Sequence, residues 1–263
     1  MLDSAGDHAK RYTIALCAEK GQGREVFATG TLLKVWDEYF IVTAGHVVTR
    51  MRGAPEGVHL LGWNPSANHL VHLEGVEFHS VDSESCDVGL VRLPYGLALS
   101  MADPPNYLDL EQIDSYDVPK VGASYLVCGF PTALYLSEPR KLGLIRYLTR
   151  SRGDECKRAY DPAVDIILSY RPEKQKWRGV ELSEISLKGM SGGGIWRFFA
   201  PGSRQAWTPS DLRLVGVQHS WRGDLLRGTR IASLLRVLAE MKPDLSKLIH
   251  QRHPSAKTAR LGG

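Results

Sequence analysis

What this chain lacks narrows its class before any motif is read. No apolar run comes near the ~20 residues that a membrane-spanning helix needs, so no membrane partner is expected. The opening Met1–His8 has neither a charged n-region nor an apolar h-region. Taken as a native start, it carries no secretion signal, and a cytoplasmic protein is expected. Cysteine is scarce, present only as Cys17, Cys86, Cys128 and Cys156, and no two of these stand as C-x-x-C. That spacing does not suggest zinc, and four reduced thiols are the expectation in a reducing compartment. No metal or other cofactor is called for. Charge of one sign is also modest: 33 Lys and Arg against 29 Asp and Glu leave +4, too little to argue for nucleic acid by itself. The basic tail from His250 lacks interleaved aromatics, so no nucleic-acid partner is expected there either.

What is present suits a soluble, strand-rich protein. The chain is 43% hydrophobic and 24% charged, with 26 glycines and 14 prolines to make turns. Short, often alternating runs at 12–18, 25–35, 39–43, 58–61, 69–78 and 88–93 read as strands of a closed or nearly closed antiparallel barrel. Residues 94–120 lose that periodicity and read as a connection, with a helical turn at 107–113. A second set follows at 124–129, 141–150, 165–169, 194–199, 213–219 and 229–231. From Ile231 to Met241, apolar residues at 231, 234, 235 and 238 have helical spacing, and Pro243 marks the end. Residues 1–11 read as loose, and 250–263 as a flexible tail.

The most informative stretch is Lys188-Gly189-Met190-Ser191-Gly192-Gly193-Gly194, which sets one hydroxyl among glycines just before Ile195-Trp196. A serine attacks only when a base takes its proton and backbone donors receive the oxyanion. Upstream, Thr43-Ala44-Gly45-His46 follows the apolar run Phe40-Ile41-Val42, which places a histidine at a strand end. Asp87 heads the run Val88-Gly89-Leu90-Val91, with Asp82 and Glu84 as nearby competitors. We take Asp87, because the apolar strand behind it would hold it in a buried place. The chain order is His, Asp, Ser.

These motifs, with Gly30-Thr31-Leu32-Leu33 before the histidine and Leu214-Val215-Gly216-Val217-Gln218-His219 after the serine, resemble those of the trypsin-like serine peptidases of the compact bacterial kind. The resemblance implies an all-β protein: two six-stranded antiparallel β-barrels of the chymotrypsin fold with a C-terminal α-helix. One peptidase domain would span 1–263, with barrels at 12–95 and 120–231, the helix at 231–241 and the tail at 250–263. It implies His46 as general base, Asp87 as its orienting acid and Ser191 as nucleophile. The backbone N–H groups of Gly189 and Ser191 would form the oxyanion hole.

By the same pattern the specificity pocket has its base near Ile185, where no acid stands, and a wall at Gln218, His219 and Ser220. Cleavage after Lys or Arg is therefore not supported. A histidine and a serine in the wall fit an acidic side chain, as in glutamyl-specific relatives, or equally a small or polar one. One departure is Met190, where secreted members carry the aspartate that receives the new N-terminal amine after zymogen cleavage. The loop holding Ser191 must then be ordered another way, or by an activating or regulatory partner. The expected activity is a serine endopeptidase acting on protein or peptide substrates; the alternative is a proteolytically silent module of the same fold that binds a peptide or partner protein.

Overall fold

The computed structural model describes residues 2–21, 23–64, 69–83, 86–103, 106–115, 123–136, 141–142, 144–151, 161–171, 176–177, 180–181, 183, 185–198 and 208–259. Cys156, the start of the second barrel at 120 and the last four residues of the tail lie outside these. The N-terminal half forms a single antiparallel sheet in the order β5-β4-β1-β2-β3-β7-β6. Its strands are β1 (Thr13–Lys20), β2 (Gly23–Val35), β3 (Glu38–Thr43), β4 (His59–Asn64), β5 (His69–His72), β6 (Glu77–Ser83) and β7 (Cys86–Leu93). The sheet thus has seven strands where six were expected, because the run at 69–78 divides into β5 and the start of β6.

The second sheet runs β11-β8-β15-β16-β17-β12. It comprises β8 (Ser124–Gly129), β11 (Ile145–Arg150), β12 (Asp165–Ser169), β15 (Gly194–Phe198), β16 (Leu212–Arg222) and β17 (Leu225–Arg230). Two short hairpins, β9 (Tyr135–Leu136) with β10 (Lys141–Leu142) and β13 (Lys176–Trp177) with β14 (Val180–Glu181), stand apart from it.

Period-2 alternation explains how each sheet makes its core. Ile14, Leu16, Leu32, Ile41 and Val91 point into one apolar cluster inside the first sheet. Residues of opposite parity, among them Ala15, Leu33, Phe40 and Leu90, join Leu126, Trp196, Leu214 and Val217 of the second sheet in another. The central strands are therefore buried on both faces and read as near-continuous apolar runs. Asp87 and Ser191 sit where the two sheets meet, bonded to Thr229 and Thr29 respectively.

Helices close the structure. α2 (Gly45–Arg52) follows β3, and α3 (Tyr95–Met101) begins the connection between the sheets, which includes a 3-10 turn at Leu110–Gln112. α4 (Ile231–Met241) buries Leu234, Leu235 and Leu238 completely, each worth roughly 2 kcal/mol of apolar burial. Pro243 does end α4, and it also opens α5 (Pro243–Arg252) as its first residue, where a missing N–H costs nothing.

Two segments differ from expectation. Residues Leu2–Arg11 form a helix, α1, whose buried residues among those described are Ala5, Gly6 and Ala9. Alanine carries little hydrophobic signal, so the periodicity is faint in the sequence. The tail does not loosen at His250 either: α5 continues, and α6 (Ser255–Thr258) follows. The buried His253 holds them, with Nε2 at 2.9 Å from the Leu110 carbonyl and Nδ1 at 3.0 Å from Ser115 Oγ. That pattern needs an Nε2–H donor and an Nδ1 acceptor for the serine hydroxyl.

Candidate active site

His46 stands in the first turn of α2, directly after the helix-opening Gly45. A side chain at 45 is impossible there: a Cβ would lie 2.1 Å from the Val81 carbonyl and 3.0 Å from Asp87 Oδ1. The glycine lets α2 press against β6 and brings His46 over the head of β7. Asp87 then bonds His46 at two points. Its Oδ2 lies 2.7 Å from His46 Nδ1, and its Oδ1 accepts the His46 backbone N–H at 3.0 Å. A carboxylate so gripped cannot rotate, and it sets the imidazole with Nδ1–H toward the acid and Nε2 toward the cleft.

Asp87 is itself pinned between the sheets. The Thr229 hydroxyl on β17 accepts its N–H and donates to its carbonyl, both at 3.2 Å. Burial alone would raise the Asp87 carboxyl, but the hydrogen bond and charge of His46, with help from His219, bring it below its ordinary value. The same bond raises His46 above its ordinary value, against the opposing effect of burial.

Ser191 lies in the turn between the Gly189 region and β15. The turn is held by Thr29, whose polar atoms all serve it or its support. Thr29 N–H donates to the Ser191 carbonyl at 2.8 Å, and Thr29 Oγ1 donates to the Gly189 carbonyl at 2.9 Å. That hydroxyl also accepts the Phe130 N–H at 2.9 Å, and the Thr29 carbonyl accepts from Thr43 Oγ1 at 2.8 Å. The Thr132 N–H donates to the Lys188 carbonyl at 2.7 Å. In a trans peptide the N–H points opposite the C=O, so the Gly189 N–H faces away from Thr132. Gly189 has φ +96°, a region closed to most side chains. Neither the Gly189 nor the Ser191 N–H donates to another backbone group among the described residues.

Met190 is 1% exposed. It packs into the apolar cluster with Tyr125, Val127 and Ile195 and touches Gly129. The loop is thus anchored by apolar burial and by Thr29 and Thr132, where an ion pair would otherwise serve.

His46, Asp87 and Ser191 are drawn together with a fourth group, His219. Its Nδ1 lies 3.6 Å from Asp87 Oδ2, and its carbonyl accepts from Ser191 Oγ at 3.2 Å. Burial first, and Arg227 after it, lower the imidazole to about 4 against the pull of Asp87, so it is neutral near pH 7 and its contact with Asp87 is not an ion pair. Among the described residues, Ser191 Oγ makes this bond and none to His46. The four residues expected to shape the pocket divide. Ile185 belongs to the apolar cluster of the second sheet. Gln218 is fully buried, with both carboxamide atoms unpartnered. His219 turns its ring to Asp87 and offers the cleft its carbonyl. Ser220 is half-buried on β16 beside them.

Sequence reasoning missed Thr29, Thr132 and Thr229. Their signal is a polar residue inside an apolar strand or at its end, which is common and names no partner.

The family model described as Trypsin matches residues 3–174. The chain belongs to the trypsin family. The matched span contains His46 and Asp87 and ends before Ser191. No curated protein matched the chain. Among solved structures, the serine endoprotease from Yersinia pestis aligns with a TM-score of 0.55 and 12% identity, over 93% of this chain and 67% of that one. A Glu endopeptidase in complex with MPD aligns with a TM-score of 0.54 and 13% identity, over 89% of this chain and 91% of that one. At such identity the likeness speaks for the fold, the chymotrypsin arrangement of two antiparallel sheets. No helix among the described residues is long and apolar enough to cross a membrane, and no group of His, Cys, Asp and Glu among them could hold a metal.

Proposed function

We propose that this trypsin-family protein is a serine endopeptidase hydrolysing peptide bonds in protein or peptide substrates. The observation that carries the reading is the two-point bond of Asp87 to His46. It fixes the tautomer a general base needs.

In the proposed reaction Ser191 Oγ rotates off the His219 carbonyl, gives its proton to His46 Nε2 and attacks the scissile carbonyl. Charge develops on the substrate oxygen and is received by the N–H groups of Gly189 and Ser191. His46 returns the proton to the leaving amine as the C–N bond breaks, and Asp87 stabilises the imidazolium meanwhile. Water, deprotonated by His46, then cleaves the acyl ester and regenerates Ser191. The neutral, turned-away His219 does not support reading of an acidic side chain by that residue.

The alternative, a silent peptide- or partner-binding module, draws on the Ser191–His219 hydrogen bond, which directs the hydroxyl away from the base. Any activating partner would have that bond to break. Cys17, Cys86 and Cys128 are buried and in no disulfide among the described residues, which accords with a reducing, cytoplasmic setting. A fluorophosphonate that adds covalent mass to the wild type and not to Ser191→Ala supports the enzyme; absence of labelling in both supports the silent module.

A further inference from the structure

A cavity of about 490 Å³ opens beside α2 and β2, lined in part by Arg24, Glu25, Phe27, Arg50, Val58 and Leu60. It is separate from the pocket residues on β16 and plays no part in the chemistry above. Its position relates it to that chemistry. Arg50 follows His46 by four residues on α2, so it lies on the same face, about 6 Å further along the axis. Phe27 precedes by two the Thr29 that holds the Ser191 loop. The β1–β2 register shifts between Leu16 and Cys17 and leaves Phe27 without a partner in β1, so a bulge interrupts the strand at this point.

The charges around the cavity do not cancel. Arg24 pairs with Glu19 at 2.5 Å, yet its buried Nε has no partner. Glu25 is matched by Lys188, whose Nζ lies 3.5 Å away. Arg50 has no acidic partner among the described residues and stacks its guanidinium over Phe27, 4.7 Å from the ring centroid. The last carbonyls of α2 are occupied by the N–H groups of Gly53 and Ala54. What remains is the Arg50 guanidinium held flat on an aromatic floor at the edge of a cavity whose walls include Val58 and Leu60.

We propose that this cavity binds an acidic side chain on the leaving-group half of the substrate, with Arg50 as the residue that selects it. The inference rests on the endopeptidase reading: Thr29 abuts Ser191, Phe27 of the cavity lies two residues away along β2, and a leaving half that follows β2 reaches it. An extended peptide advances ~3.3 Å per residue, so the cavity meets the second or third residue after the scissile bond.

Two measurements test this. The first compares kcat/KM for quenched peptides randomised on the acyl side and carrying Glu, Ala or Lys at the second and third positions after the bond. Wild type cleaves the Glu set about threefold to fivefold faster than the Ala set, as a partly exposed charge pair allows, and the Lys set more slowly. Arg50→Gln levels the three sets, and Arg50→Glu, at an exposed position tolerant of change, reverses the order. The second needs no turnover: anisotropy of fluorescein-labelled Ala-Glu-Glu-Ala and Ala-Lys-Lys-Ala on Ser191→Ala protein at low salt. The acidic peptide binds more tightly, and the difference vanishes with Arg50→Glu added. Equal rates and equal binding for acidic and basic peptides, or a preference that survives Arg50→Glu, overturn the proposal. A protein that neither cleaves nor takes fluorophosphonate defeats the endopeptidase reading instead, and the binding measurement still decides the cavity.

Discussion

Thr29 Oγ1 donates to the Gly189 carbonyl across 2.9 Å, and so ties the N-terminal sheet to the loop that carries Ser191. The two residues are 160 positions apart. The loop needs a fixed shape if its N–H groups are to converge on an oxyanion, and Met190 cannot supply an ion pair to fix it. Thr29→Val removes the hydroxyl and leaves the Gly189 carbonyl and Phe130 N–H without that partner. The expected costs are about 2 kcal/mol of stability in denaturant melts and a fall of at least about tenfold in fluorophosphonate labelling rate. Thr29→Ser, which keeps the hydroxyl, recovers most of both.

Met190→Asp separates the two ways of ordering this loop. The new carboxylate would be buried in the cluster of Tyr125, Val127 and Ile195. An unpaired buried charge costs several kcal/mol or takes up a proton. Thermal melting shows a lower midpoint, and labelling of Ser191 does not rise. Faster labelling in this variant would mean that an acid at 190 orders the loop better than the methionine does.

The His46–Asp87 bond sets a pH dependence. Asp87 raises the His46 pKa above its ordinary 6.5, and the base must be neutral to act. Labelling of Ser191 therefore climbs with pH through a midpoint above 6.5. In Asp87→Asn the hydrogen-bonded charge is gone while burial persists, so the midpoint moves down. The rate at its plateau drops by up to about 10⁴-fold, because the amide no longer fixes the imidazole tautomer.

His219 leaves a mark on stability instead. Its folded pKa is about 4 against an ordinary 6.5. Between those values the unfolded chain binds a proton that the folded chain refuses, so stability falls as pH falls through that window. The loss approaches ~3 kcal/mol at its lower end. Asp87, whose pKa is depressed, adds its own loss only as pH falls through its lower folded value. His46 acts in the opposite sense, since the stability from its raised pKa is lost as pH rises. Denaturant melts of wild type and His219→Gln from pH 7 to pH 4 isolate the first effect. The variant shows a shallower decline.

The parts of this site that could be read in the sequence are those whose chemistry is local. Ser191 among glycines, His46 after an apolar strand and Asp87 before one each announce a conformation as well as a functional group. Thr29, Thr132 and Thr229 do not, because what they bind is brought near only by the packing of two sheets. The β-runs were legible through their alternation. α1 is hidden because its buried residues, Ala5, Gly6 and Ala9, make no apolar stripe. α5 and α6 are hidden because His253, a polar residue, is what seats them, and its partners Leu110 and Ser115 lie far off in the sequence. The sequence pattern puts His219 in a pocket wall; its facing toward Asp87 accompanies a shift in the β16–β17 register between Gln218 and Ser220, which no sequence signal announces.

The central claim is that Ser191 is a nucleophile served by His46. Intact-mass measurement after incubation with a fluorophosphonate tests it most directly, alongside Ser191→Ala and His46→Ala. The account predicts one added phosphonyl group on the wild type, mapped to the peptide containing Ser191, no addition to Ser191→Ala and a far slower one to His46→Ala. A wild-type protein that stays unmodified, or label that persists in Ser191→Ala, contradicts it.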